Sequence, residues 1–290
     1  FRKDPFTIID LIENETINES IAAYLWLLME NKMSLMIIGA TGAGKTTALN
    51  AIACLIRPSH KIISVEEVAE INLPHENWTS TIARSGFGVE GEGEITLYDL
   101  IKSAVRHRPD LIIVGEIRGE EAYVLFQALA TGHGGLCTLH AEDVDTAIKR
   151  LTQPPMNIPS SIIPLMNCVI NVKHVRTPVF LESGKRLSSR KFISVSEIKD
   201  ANTFQEVFSW NPSTDTFQEN LAESYLLKKM ATSLDIPIEK LIDELEYRKR
   251  VLLHMVEHNI RDYRSVNKVL SKYYNNPQLF QKEFLEKPKW

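Results

Sequence analysis

The sequence predicts an α/β fold: a mostly parallel sheet with helices on both faces, then a smaller unit of antiparallel strands and helices. Three observations predict it. Short apolar runs rich in Ile, Leu and Val recur through the first two-thirds of the chain, each too short to be a helix. Stretches with helical periodicity separate these runs, as they do in sheets wound with helices. The first run also opens into a glycine-rich loop that leads straight into a helix, the order of a phosphate-binding unit.

In order, residues 7–31 read as helical after Pro5, with Ile21, Leu25, Leu28 and Met29 at helix spacing and Trp26 beside them. Leu35-Met36-Ile37-Ile38 is a short buried strand running into Gly39, and residues 47–56 read as the helix beyond the loop. Residues 61–65 form a second strand. Thr96 reads as a cap, with Asp99 in the first turn of a helix to Arg106. Leu111 to Val114 is a third strand, Glu120 to Ala130 a helix, Leu136 to Leu139 a fourth strand, and Val144 to Leu151 a helix. After about Asn171 the pattern changes to alternation. Residues 169–175, 191–195 and 206–210 read as an antiparallel meander around turn-prone segments such as Glu182-Ser183-Gly184. The text is helical again from Asn220, with Asp235 and Pro237 marking the start of a helix over Ile238 to Glu257. The expected organisation is a lead-in helix and linker over 1–33, a core over 34–175, and a β-meander with helices over 176–290.

The composition of the 290 residues, 44% hydrophobic and 24% charged, excludes disordered, collagen-like and coiled-coil classes. Cys54, Cys137 and Cys168 lie far apart with no Cys-x-x-Cys pair, which argues against a disulfide framework and a cysteine zinc site. No apolar run is long enough to span a bilayer. A net charge of -4 does not mark a nucleic-acid binder. Residues 227–290 carry 13 Lys/Arg against 9 Asp/Glu, a mildly basic tail that reads as solvated helix faces.

Gly39-Ala40-Thr41-Gly42-Ala43-Gly44-Lys45-Thr46 matches the phosphate-loop pattern G-x-x-x-x-G-K-[ST]. Glycines let successive backbone N–H groups curl round phosphates while the following helix points its positive end at them. Lys45 then reaches the β- and γ-phosphates, and the Thr46 hydroxyl is a ligand for Mg²⁺. The nucleotide-binding candidates are therefore residues 39–46 together with Thr47. Such a loop needs acid from a second strand. Leu111-Ile112-Ile113-Val114-Gly115-Glu116 supplies it with Gly115 where many such enzymes place a metal-binding Asp, so that only Glu116 is acidic. Glu66-Glu67 ends the preceding strand and reaches the same crevice. Metal and water duties are thus expected to be split, with Glu66 and Glu116 catalytic and Thr46, Glu67 and Glu116 at the metal.

His133, among glycines, and His140 flank one short strand. They lack a third ligand at zinc spacing and read as sensors of a γ-phosphate. Arg84, Arg106, Arg108 and Arg118 surround these segments, and a transferring phosphoryl group needs such cations. Arg84, Arg106 and Arg118 are the candidates for that role, some of them across a subunit boundary.

Taken in order, these segments resemble the type II/type IV secretion ATPase superfamily. Gly39–Thr46 matches its Walker A segment and Ser64-Val65-Glu66-Glu67 its Asp box. Arg108-Pro109-Asp110 running into Val114-Gly115-Glu116-Ile117-Arg118 matches its Walker B, and Thr131-Gly132-His133 through Leu139-His140-Ala141 its His box. The Gly-Glu form of the Walker B strand is what this family shows. Ile71-Asn72-Leu73-Pro74-His75-Glu76-Asn77-Trp78 and Gly91-Glu92-Gly93-Glu94 resemble its archaeal branch, which drives archaella and type IV pili.

The resemblance implies a RecA-like P-loop core, with ATP and Mg²⁺ as ligands. It implies a motor that powers assembly or secretion of a pilus-like or archaellum filament. It further implies a homo-hexamer docked on a polytopic membrane platform protein, cytoplasmic and peripheral at the inner face of the membrane, with no nucleic-acid partner. Bacterial assembly members carry a four-cysteine zinc loop and retraction motors an Ala-Ile-Arg-Asn-Leu-Ile-Arg-Glu segment; neither is found here. Family members also carry an N-terminal domain that supplies arginines, so the chain is expected to be the C-terminal motor half of a longer protein. Two other readings compete: a ring-type nucleic-acid translocase, marked by basic pore loops and interleaved aromatics, and a nucleotide-gated scaffold with little turnover.

Overall fold

The computed structural model describes residues 4–86, 92–180 and 186–280. The turn expected at 182–184 and the Gly91 position lie outside the described residues. The chain opens with helices α1 (Ile8–Glu13) and α2 (Glu19–Glu30), so the single helix expected over 7–31 is two. Asparagines break it. Asn14 ends α1 and donates from its side-chain amide to the Asp10 carbonyl at 2.7 Å. Glu15 turns the chain with φ of 54°, and Asn18 caps α2 by accepting from the Ile21 N–H at 2.9 Å.

The stretch expected as a lead-in is built into the core. Every residue of α2 from Ser20 to Met29 is buried, as befits a helix with no polar face. Trp26 donates from its indole N–H to the Tyr274 hydroxyl at 2.8 Å. The buried Arg248 guanidinium lies 4.8 Å from the Trp26 ring centroid and pairs with Glu30 and Glu244.

Strands and helices then alternate: β1 (Leu35–Ile38), α3 (Lys45–Ala53), β2 (Ile62–Glu66), β3 (Trp78–Ile82), α4 (Leu97–Arg106), β4 (Leu111–Val114), α5 (Glu121–Ala130), β5 (Gly134–Leu139) and α6 (Val144–Thr152). Thr96 caps α4 as expected, in a reciprocal box with Asp99. Four longer strands follow, β6 (Cys168–Phe180), β7 (Arg186–Ile198), β8 (Phe204–Asn211) and β9 (Thr216–Glu219), and then α7 (Tyr225–Leu234), α8 (Ile238–Glu257) and α9 (Tyr263–Asn275).

Among the described residues the strands form one sheet in the order β3-β2-β4-β5-β1-β6-β7-β8-β9. Pairing is parallel from β3 to β6 and antiparallel from β6 to β9. This is the RecA-like α/β arrangement, with the phosphate loop at the end of the central β1. The boundary expected at 175/176 falls inside β6, whose first residues pair with β1 and whose whole length pairs with β7. The sheet therefore runs unbroken into the meander.

Alternate strand residues enter two cores. Leu35, Ile37, Leu111 and Ile113 face a layer that includes α1, α2, α3, α7, α8 and α9. Met36, Ile38, Ile112 and Val114 face α4, α5 and α6. Burial on both faces explains why these strands are continuous apolar runs rather than alternating ones. It also confines polar chemistry to the strand ends.

Candidate nucleotide site

The phosphate loop leaves β1 at Gly39 and enters α3 at Gly44. The loop lies so close to the sheet that a Cβ on Gly39 would sit 2.3 Å from the Val172 carbonyl oxygen. Gly44 is the N-cap of α3 with φ of 101°, a left-handed conformation that side chains resist. No side chain caps α3. Its first N–H groups therefore face the cleft, at the positive end of the helix dipole.

Lys45 is buried, and its ammonium donates to the carbonyls of Gly39 and Ala40, each at 3.1 Å. It also meets His140 Nδ1 at 3.2 Å, and His140 Nε2 lies 2.9 Å from Glu116 Oε1. Because an ammonium only donates, Nδ1 must accept and Nε2–H must donate to Glu116. Burial pulls the Lys45 pKa down, opposed by the negative charge of Glu116.

Glu66 ends β2 and is 2% exposed. Its Oε1 accepts from the backbone N–H groups of Glu70 at 2.9 Å and Ile71 at 2.8 Å. Among the described residues its Oε2 is buried without a hydrogen-bond partner, in the wall of a cleft of about 270 Å³ shared with Lys45, Thr46, Glu116 and His140. Burial raises the Glu66 pKa, and the two backbone hydrogen bonds only partly offset it. Gly115 stands directly behind: a Cβ there would lie 3.4 Å from Glu66 Cγ. An Asp at 115 would thus set a second carboxylate against Glu66.

The structure does not gather all the expected residues. Thr46 lines the cleft, whereas Thr47 lines an adjoining cavity of about 510 Å³ bordered by Phe6 and Asn72. Glu67, expected at the metal, is engaged at the cleft mouth by the Arg118 guanidinium. Arg118 and Arg84 line a separate cleft of about 700 Å³ on the far side of Glu67, and Arg84 donates from Nε to the Gly93 carbonyl at 2.9 Å.

Two expectations need correction within one chain. His133 precedes β5 and His140 follows it, so a six-residue strand, about 20 Å long, separates them. The register Ile38↔Leu139 puts His140 at the phosphate-loop end. His133 is at the other end, where its Nδ1 lies 3.0 Å from the Ala128 carbonyl. Arg106 likewise ends α4 on the side where the chain re-enters the sheet at β4, exposed and away from the loop.

Asn50 was not singled out from the sequence, yet it shapes the site. From inside α3 it donates to the Glu70 carbonyl at 3.0 Å and accepts from the Asn72 N–H at 2.9 Å, holding the segment that binds Glu66. An Asn one turn after the phosphate loop, set among Ala48, Leu49, Ala51 and Ile52, was the available signal. Among the described residues, one group with metal-ligating geometry, His254, Glu257 and His258, lies on and just beyond α8, apart from this cleft.

An uncapped helix end behind a left-handed glycine, an ammonium held over loop carbonyls, and an orphaned carboxylate oxygen fit a nucleotide with its divalent cation. The fold and this cleft define a P-loop nucleotide-binding protein. The sequence matches the family described as "Type II/IV secretion system protein" over residues 1–190. The chain belongs to that family of secretion ATPases. An uncharacterised protein of Methanocaldococcus jannaschii is 43% identical over 247 residues, 85% of this chain and 90% of the relative. A second from the same organism is 38% identical over 94% of this chain, which spans 50% of that relative's length. Type IV secretion system protein PtlH of Bordetella pertussis is 35% identical over 47% of this chain and 41% of its own. The crystal structure of the VirB11 ATPase from the Brucella suis type IV secretion system superposes with a TM-score of 0.49 at 23% identity, covering 64% of this chain and 54% of that one.

Proposed function

We propose that the chain is an ATP-hydrolysing motor that powers assembly or secretion of a type IV pilus-like or archaellum filament. The observation that carries the hydrolytic part is the buried Glu66 with a free Oε2, facing the Lys45–His140–Glu116 chain across one cleft. The family membership supports the secretion part, and the resemblance of residues 71–78 to the archaeal branch supports the filament part. The motor acts as a homo-hexamer on a polytopic membrane platform protein at the cytoplasmic face, without nucleic acid.

ATP is the substrate, and Mg²⁺ bound with it supplies charge neutralisation on the phosphates. Thr46 and Glu116 are the residues to hold the ion. The backbone N–H groups at the start of α3 and the Lys45 ammonium, once released from the loop carbonyls, bind the phosphates. Glu66 orients water and takes its proton at Oε2. His140 fixes Glu116 through Nε2. Arg84 and Arg118, in the neighbouring cleft, stand ready for the site of an adjacent subunit.

Replacing Glu66 by Gln should leave ATP bound and slow turnover about 10²-fold or more, the scale of lost general-base help. Normal turnover in Glu66→Gln would move the base elsewhere.

A further inference from the structure

The antiparallel half of the sheet brings a cation to the phosphate loop. β6 pairs with β1 as far as Ile38↔Asn171 and then continues beside the loop, where Val172 backs onto Gly39. Two residues further, His174 pairs with Arg190 of β7. Arg190 is exposed and leans back over the loop: a Cβ on Gly44 would meet its Cδ at 2.7 Å and its Nε at 3.2 Å. The sheet ladder fixes this position, so the approach depends on more than a side-chain torsion.

The placement has the wrong sign for structure alone. Gly44 caps α3, whose N-terminus concentrates partial positive charge, and Lys45 adds a full one. Among the described residues Arg190 makes no hydrogen bond and pairs with no carboxylate, although it sits against that end. A guanidinium stacked on a positive helix end is stabilised by an anion between them, and phosphate is the anion such an end binds.

We propose that Arg190 is a nucleotide-binding residue that contacts the phosphates common to ATP and ADP. The proposal rests on reading the loop as an ATP site. Strand order gives the side. Glu116 follows β4, two places from β1 in one direction, with Glu66 one place beyond it on β2; Arg190 is on β7, two places in the other. The reacting end of the nucleotide belongs with the carboxylates, which leaves the nucleoside-proximal phosphates to Arg190. A contact made equally in ground and transition states lowers KM and leaves kcat alone, so its loss raises KM only.

The test titrates fluorescent ATP and ADP analogues into the full chain and measures turnover, with melting curves to confirm folding. Arg190→Met keeps the stem against Gly44 and removes the charge; Arg190→Lys keeps the charge. Arg190→Met should weaken ATP and ADP alike by about tenfold, raise KM in step and hold kcat within about twofold, as expected for loss of one charge-assisted hydrogen bond. Arg190→Lys should retain most of the affinity, and added salt should narrow the gap between wild type and Arg190→Met. Unchanged affinity for both nucleotides in Arg190→Met would overturn the proposal. So would a loss confined to ATP, which belongs to a γ-phosphate contact. If Lys45→Ala abolishes binding and Arg190→Met does not, only the Arg190 assignment falls. If Lys45→Ala binds like wild type, the phosphate-loop reading falls and takes Arg190 with it.

Discussion

The two ends of the parallel sheet carry similar side chains with opposite uses. At the carboxyl ends of β1, β2, β4 and β5 stand Lys45, Glu66, Glu116 and His140, linked or facing one another across one cleft. At the amino ends stand Lys32, Asp110 and His133. Lys32 and Asp110 form a partly exposed ion pair, and Asp110 also accepts from the Lys61 N–H at 2.8 Å. The difference lies in backbone direction. In parallel strands feeding helices, the carboxyl end meets the positive helix terminus and opens a crevice for an anion; the amino end offers neither. Residue type alone does not decide a role, and position along the strand does.

The two lysines carry the largest expected difference between the ends. Lys45→Ala should abolish measurable ATP turnover with the fold intact, because its ammonium is the loop's own charge for the β- and γ-phosphates. Lys32→Ala should leave turnover unchanged and cost at most about 1 kcal/mol of stability, the range of an exposed ion pair. Equal effects on turnover would dissolve the distinction between the ends.

The histidines give the next largest contrast. His140→Ala releases both Lys45 and Glu116 and should lower kcat about tenfold or more, within the range of losing one positioned acid–base or orienting group. His133→Ala should stay within about twofold of wild type. The experiment is a paired steady-state assay on the same preparation, and a larger loss at His133 would return that residue to the nucleotide.

The smallest expected effect comes from the acidity of Glu66. Glu66 must be ionised to accept a proton, and burial raises its pKa. The acid limb of the turnover profile should therefore fall at a higher pH than an ordinary carboxylate gives, and Glu66→Gln should flatten it. The same shift has a stability consequence. A carboxyl whose folded pKa is raised opposes folding above that pKa, and the opposition vanishes below its unfolded value. Glu66→Gln should thus melt slightly higher than wild type at neutral pH, with the advantage shrinking as pH falls. A lower melting temperature at neutral pH would contradict this.

Much of this was legible because parallel strands buried on both faces are continuous apolar runs. Leu35–Ile38 and Leu111–Val114 were read at their observed bounds, as was α8 from Ile238 to Glu257. The phosphate loop, Glu66, Glu116 and His140 share short motifs that end strands, so local spacing places them together. His133 shows where that logic stops: a motif is a length of chain, and a strand carries its two ends to opposite edges of the sheet. The break between α1 and α2 was hidden because Asn14 and Asn18 are also tolerated on exposed helix faces. Arg190 was invisible for a different reason. Its approach to Gly44 depends on β6 and β7 overrunning the end of β1, a consequence of non-local pairing.

Hydrogen exchange in the presence of Mg²⁺ and ATP, on dilute chain below its assembly concentration, tests most directly whether the carboxyl ends rather than the amino ends of the parallel strands form the site. Exchange should slow at residues 39–47, 66–71 and 138–141, an effect lost in Lys45→Ala, with residues 128–134 unchanged. Protection at 128–134 equal to that of the phosphate loop, or none in the loop itself, would contradict it.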